Sequence, residues 1–540
     1  MENKYFLKKN WDLIIVLILY SLLTVLYLHY YQYKTGGDEL SYINIAHEYA
    51  VGKWGDAING YWSPLYSWLM TPFLLLGSTP LYAVYVSKIV SIIIGFFTII
   101  SVNRLSRTFG LSKVVKRALL FSLVPVILYF SLMYNTPDLL LVCVLVYYLA
   151  IIFDPEYSDK WFNGVLCGFL GALAYLTKSF AFPFFLAHFI LFNLIYYFKG
   201  LNSQKRRNVL KNMVLGLFVF FVIGGLWAGT ISEKYGKLTI STSGEHNQAL
   251  VGPVYAVNPI EHAAHPIYYM GLLKPPYNSS ISIWDDPSTI NMVKWSPFDS
   301  VGSFEYELKL IWANILYTTQ IIESFFLIAV VIIVAAVLFI LKSKSQKASK
   351  DKLIYLLITM FIYVGGYCLI VPEWRYYFLI FILLMLMGFY LIDTLYKNKN
   401  LNSTLRNILL IVLILSFVME PIYELNLFAT SEDNVYILSN NLKDDYGIHG
   451  NLASNNEWDK DIASEKWGEM LCIAYYSNCK YYGLTKKNEN SKDLQGELDA
   501  NNIDYYFVWD DHDNITLPGY MEITNDEIQG LKIYKRNGEN

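Results

Sequence analysis

Eleven apolar segments, most of them about twenty residues long, constrain this chain more than any other feature. A helix needs about 20 mostly apolar residues to cross the hydrocarbon core of a bilayer. Candidates lie at 12–31, 82–103, 118–133, 137–153, 162–178, 180–198, 209–230, 310–341, 352–371, 375–396 and 406–425. The third and fifth are short, and 310–341 is long enough to run beyond the membrane. Residues 64–77 are also apolar but hold Pro64 and Pro72, which suits a half-span or an interfacial element. The 45 Tyr and 13 Trp suit membrane interfaces, where a ring is apolar and its tip wet. A net charge of -3 gives no reason to expect a nucleic-acid partner.

Charge in the connecting segments sets the orientation. Lys and Arg cluster at 104–117, 199–211, 342–352 and 397–406, and the alternate loops are poor in them. With a cytoplasmic N-terminus this is the positive-inside pattern. The acidic segment 154–160 is the one poor fit. Lys4, Lys8 and Lys9 precede the first apolar run, which no small-residue cleavage site follows, so it reads as a retained anchor.

Two large regions then lie outside, and with them two domains are expected. A membrane domain covers 1–425, with outer loops at 32–81 and 231–307, and a polar domain covers 426–540. In the latter, Lys466–Ser477 precedes an apolar run at Lys480–Leu484, and Asp493–Asn501 precedes another at Tyr505–Trp509. Helix followed by strand, twice, predicts a small α/β domain. The fold class expected is an α-helical polytopic membrane protein with a C-terminal extracytoplasmic α/β domain. Cys472 and Cys479 fall in that domain, where a disulfide is conceivable but their spacing does not dictate one.

The polar residues at segment ends gather on the outer side. Asp38 and Glu39 follow the first span, Asp138 opens the fourth, Lys178 closes the fifth, and Glu373 and Arg375 sit between the ninth and tenth. Carboxylates this close to a membrane core are costly and usually have a function. Each residue also has a plain structural use: Asp38 and Asp138 as helix caps, Lys178 snorkelling to headgroups, Arg375 pairing with Glu373. Their convergence favours chemistry. At the outer leaflet an activated sugar would arrive on a lipid phosphate. Cations stabilise the charge of that leaving group, and Lys178 and Arg375 are placed to do so. An attacking hydroxyl must lose a proton, for which Asp38 is the candidate base. Single displacement would invert the anomeric centre. Asp38, Glu39 and the outer-loop residues His246, His262 and His265 leave a divalent metal ion open without demanding one, and no cofactor is certain.

The chain resembles the polytopic membrane glycosyltransferases of the GT-C fold, above all the protein O-mannosyltransferase and aminoarabinose transferase branch. The resemblance covers roughly residues 10–400. It rests on Asp38-Glu39 with Tyr42 and Ala46, on Ser63-Pro64-Leu65-Tyr66, on Thr136-Pro137-Asp138, on Leu176-Thr177-Lys178 and on Arg375-Tyr376-Tyr377-Phe378-Leu379. Ser63-Pro64 stands where the family often has two prolines, and Ser179 where it often has glycine. The resemblance implies a first-loop aspartate, Asp38, acting as base beside Glu39, with Lys178 and Arg375 near the lipid phosphate. Tyr42, Tyr66, Asp138 and Glu373 are expected around the substrate. The implied partners are a polyprenyl-phosphate sugar, a lipid, glycan or protein acceptor, and membrane lipids, with the site on the outer face of a plasma membrane.

Two other classes of protein share parts of this pattern. A transporter or flippase of lipid-linked saccharides would place charges near the bilayer midplane, where Lys88, Glu323 and Asp393 are the deepest. A non-catalytic surface-binding protein would work through its tail alone.

Overall fold

A computed structural model describes residues 2–200, 202–256, 265–343, 347–429, 434–456, 460–487, 490–509 and 516–537. Among them, eight helices are long and apolar enough to cross a membrane: Asn10–Tyr31, Pro80–Thr108, Lys113–Met133, Ala181–Lys199, Ser203–Tyr235, Lys347–Cys368, Trp374–Lys397 and Ser403–Leu427. All eleven expected segments contain helix, with three differences. The third is not short, because it begins at Lys113 and runs for 21 residues. The fourth and fifth, Asp138–Ile152 and Asn163–Thr177, have 15 residues each. At 1.5 Å per residue such helices reach about 22 Å, less than the hydrocarbon core.

The third difference lies in the segment expected to be one long span. It breaks into Val301–Phe325 and Ala329–Lys342, bent by 104°. Neither proline nor glycine lies at the break. Instead two consecutive rings are anchored on different helices: Phe325 stacks on Phe381 at 4.1 Å, and Phe326 meets Phe417 at 4.3 Å.

Helix Trp374–Lys397 is the hub, with 94% of its most apolar window buried by protein. Its sequence is apolar on every side, which is what a surrounded helix requires. Helices Asn163–Thr177 and Ser203–Tyr235 touch backbone to backbone. A methyl group added at Gly164 would lie 2.1 Å from the carbonyl oxygen of Asn212, and one at Gly168 would lie 2.1 Å from that of Gly216. Small residues four apart are how membrane helices come this close.

The chain after residue 434 folds as an α/β unit with a five-stranded sheet. Its strands are β1 (Asn451–Ser454), β2 (Lys480–Leu484), β3 (Tyr505–Trp509), β4 (Tyr520–Glu522) and β5 (Leu531–Arg536), in the order β2-β1-β3-β5-β4. β1 is parallel to β2 and β3, whereas β5 is antiparallel to β3 and β4. Helices Lys460–Tyr476 and Ser491–Ala500 precede β2 and β3, as the alternation predicts. Cys472 and Cys479 are not bridged: Cys472 faces the Thr35 carbonyl at 3.6 Å, and Cys479 faces that of Ser477 at 3.6 Å.

This unit is stitched to the loops of the membrane part. The Tyr481 N–H donates to the Ile281 carbonyl and the Leu273 N–H to the Tyr482 carbonyl, both at 2.7 Å, so the loop lies along the outer edge of β2. The Tyr476 hydroxyl donates to the Tyr33 carbonyl at 3.1 Å. Helix Gly37–Ala50 therefore starts beneath the C-terminal unit.

Candidate active site

Four separate backbone ends meet here. Asp38 lies in the first turn of helix Gly37–Ala50, and Asp138 opens helix Asp138–Ile152. Lys178 caps the C-terminus of helix Asn163–Thr177, and Arg375 sits in the 3₁₀ turn Trp374–Tyr377 at the head of the hub helix. The helix ends suit their charges, with carboxylates at N-termini and an ammonium at a C-terminus.

Arg375 joins them. Its Nη2 donates to Asp38 Oδ2. It also lies 3.2 Å from Glu373, and its Nε is 4.0 Å from Asp138 Oδ2. Lys178 donates to Asp138 Oδ1 at 2.6 Å, and Thr136 Oγ1 donates to Asp138 Oδ2 at 2.7 Å. The Lys178 ammonium also rests 3.4 Å from the centroid of the Tyr376 ring, whose negative face favours a cation. Tyr376 in turn stacks on Tyr367 at 4.8 Å. Both cationic side chains are less than one-fifth exposed. Three carboxylates and two cations thus form one cluster, in which Glu373 is the half-exposed member. The guanidinium of Arg375 can address two oxygens at once, a geometry that carboxylates and phosphates share.

The other expected site residues fall in two places. Glu39 turns away from the cations. Its Oε2 accepts from the Gly36 N–H at 2.9 Å and its Oε1 from the Asn135 N–H at 2.7 Å, so it caps its own helix and binds the Tyr134–Pro137 loop to it. Tyr42 is buried edge-on against Trp62 at 5.2 Å and Tyr66 at 5.7 Å. Tyr66 is fully buried, and its hydroxyl lies 3.3 Å from the Ser87 carbonyl. It supports the wall behind the cluster.

Trp284 is the functional neighbour that sequence reasoning missed. Its indole N–H donates to Asp38 Oδ1 at 2.7 Å, from a loop 246 residues away. Segment 231–307 holds only Trp284 and Trp295, a frequency close to that of the rest of the chain, so composition carried no signal for it. Behind it lie His246 and His265, with Nε2 atoms 3.2 Å apart. Burial pushes them down to about 4 and about 3, so both are neutral near pH 7. The third outer-loop histidine, His262, lies outside the described residues.

Asp38 and Glu39 do not converge on one cation position: Asp38 turns to Trp284 and Arg375, and Glu39 to the backbone amides of Gly36 and Asn135. Every oxygen of both carboxylates faces a proton donor. Among the described residues there is no group of three or more His, Cys, Asp or Glu able to hold a metal. The charges that would suit a transporter do not converge. Asp393 pairs with Lys397 at 2.7 Å and accepts from the Ser112 N–H at 2.9 Å, while Glu323 is exposed and Lys88 is buried in another helix.

The architecture is similar to that of the oligosaccharyltransferase of Archaeoglobus fulgidus in complex with Zn and sulfate. The TM-score is 0.51 at 13% identity, over 92% of this chain and 68% of that one. The archaeal enzyme AglB from the same organism, with an inhibitory peptide and a dolichol-phosphate, matches at TM-score 0.48 and 13% identity, over 93% and 70%. ArnT from Cupriavidus metallidurans bound to undecaprenyl phosphate matches at 0.45 and 13%, over 97% and 99%. The chain has the GT-C fold. The dolichyl-phosphate-mannose-protein mannosyltransferase family model matches residues 62–227, a stretch that carries Asp138 and Lys178. With that match the chain is a polytopic membrane glycosyltransferase. No curated protein sequence matches it.

Proposed function

We propose that this protein moves a sugar from a polyprenyl-phosphate donor to a hydroxyl acceptor, with inversion, at the extracytoplasmic face of a plasma membrane. The observation that carries this reading is the convergence of Asp38, Arg375, Asp138 and Lys178 from four backbone ends into one ion-paired cluster. The family match and the fold agree with a lipid-linked donor. The basic loops 104–117, 199–211 and 397–406 favour an outward-facing site.

In this reading the acceptor oxygen attacks C1 as its proton passes to an Asp38 oxygen. The bond from C1 to the phosphate oxygen breaks, and polyprenyl phosphate leaves with the electron pair. Arg375 and Lys178 hold the charge that develops on it. Asp138 and Tyr376 hold the Lys178 side chain in place. Donor phosphate competes with Asp38 and Glu373 for the guanidinium of Arg375, so its arrival loosens the tie on the base. Glu39 supports the helix that presents Asp38, while Tyr42 and Tyr66 shape the wall beside it. No step requires a divalent ion at Asp38 or Glu39. The acceptor is a protein, glycan or lipid hydroxyl. Residues 1–425 form the catalytic membrane domain and 426–540 the outer domain.

Membranes holding wild type or Asp38→Asn are given a panel of radiolabelled polyprenyl-phosphate hexoses and pentoses. The wild type transfers label to an acceptor and Asp38→Asn does not. Equal transfer by both removes Asp38 from the role of base.

A further inference from the structure

We propose that Trp284 aims the catalytic carboxylate of Asp38, and that Trp467 of the C-terminal unit holds Trp284 in position. The C-terminal unit is then a working part of the active site. This rests on Asp38 being the base.

Rotation about the last bond of an aspartate is soft. Beside a guanidinium the carboxylate tends to turn until both oxygens are captured by the two-pronged fork. Here the contact between Arg375 and Asp38 runs through one oxygen, Oδ2. Oδ1 is taken by the Trp284 indole at 2.7 Å. Indole nitrogen donates and never accepts, so the contact suits only the ionised carboxylate oxygen or a carbonyl-like one. It holds Oδ1 off the arginine. A carboxylate oxygen offers about two lone-pair directions, which leaves one on Oδ1 for an acceptor hydroxyl.

Trp284 is itself fixed on several sides. Its carbonyl accepts from Trp62 Nε1 at 2.9 Å and from Ser41 Oγ at 3.0 Å. Its ring meets His265 edge-on at 5.0 Å and Trp467 at 5.9 Å with a 72° tilt. Trp467 belongs to helix Lys460–Tyr476. Gly37, the residue before Asp38, touches both indoles: a methyl group there would lie 3.4 Å from the Trp467 ring and 3.5 Å from the Trp284 ring. The loop that carries Trp284 is bound to β2 by the two backbone hydrogen bonds at Ile281 and Leu273. One element of the C-terminal unit therefore buttresses the indole, and another holds its loop.

The test uses the full chain in native membranes, which supply the acceptor, with the polyprenyl-phosphate sugar that the wild type turns over. Trp284→Phe and the benzothiophene isostere of Trp284 both lose the N–H, and the isostere keeps the shape. Loss of a hydrogen bond to a charged group predicts a kcat lower by ~10- to 100-fold in both, with donor KM within about twofold. Trp467→Leu lowers kcat as well, but adds no further loss in the Trp284→Phe background. Wild-type kcat in the isostere overturns the role of Trp284, even where Trp284→Phe fails to fold. Multiplying losses in the double variant overturn the buttress. A parallel Asp38→Asn control separates the two readings. If it transfers normally the base assignment fails. If it is inactive while the isostere is normal, only the positioning role fails.

Discussion

Arg375 holds Asp38 although 337 positions separate them in the chain. The same guanidinium lies 4.0 Å from Asp138, so one side chain links both halves of the cluster. That geometry depends on a planar fork, and a lysine cannot supply it. Arg375→Lys is predicted to lower transfer by about 10²- to 10³-fold, the range seen when one donor to a developing oxyanion is lost. Initial rates with radiolabelled donor measure it, and a rate within threefold of wild type contradicts it.

Asp138 and Lys178 are a buried pair, with side chains 4% and 19% exposed. Removing either partner leaves a charge with poor access to water. Asp138→Asn and Lys178→Met should each destabilise the protein by about 3 kcal/mol, the lower end for a broken buried pair. The double variant should lose clearly less than the sum. Thermal unfolding of the detergent-solubilised protein gives the three values, and strict additivity would mean the pair is uncoupled.

Glu39 separates support from chemistry. Glutamine retains an oxygen for one of the Gly36 and Asn135 N–H groups, which in the native chain donate to different oxygens, while alanine retains none. Glu39→Gln is expected to keep more of the activity than Glu39→Ala. Glu39→Ala should cost about 1–2 kcal/mol of stability from the lost cap, and lower activity with it. Inactive, well-folded Glu39→Gln would instead place Glu39 in the reaction.

His246 and His265 set an acid limit. Burial, with His246 acting on His265, lowers them from 6.5 to about 4 and about 3, while Asp286 partly opposes the shift at His246. Both are bases held neutral in the fold. The stability they lend is complete above pH 6.5 and is lost as pH falls from there toward those lower values. Each contributes a slope of about 1.4 kcal/mol per pH unit within that window. Melting temperatures between pH 7.5 and 5 should fall in the wild type and fall less steeply in His246→Phe. Equal slopes would place the acid sensitivity elsewhere.

The helical spans were legible because bilayer thickness imposes a length that apolar runs display directly. The α/β unit was legible through its helix-strand alternation. The bend at 326–328 was not, since aromatic anchoring on two other helices causes it and no breaker residue marks it. Asp38 and Glu39 are adjacent, and neighbouring side chains on a helix point about 100° apart. Sequence could name the pair, but only packing decides that Asp38 meets the cations while Glu39 meets backbone amides. Trp284 was hidden because its partner is reached only by folding a long outer loop back over the first helix end.

The loop strand beside β2 has one more effect. β2 is a terminal strand of its sheet, and the amides and carbonyls around Ile281 and Leu273 occupy its free side. Severed from the membrane part, the soluble fragment would present that side bare, as a ready template for sticking to other copies. Attempts to produce it alone should therefore yield oligomers, unless the segment around 273–281 is supplied with it.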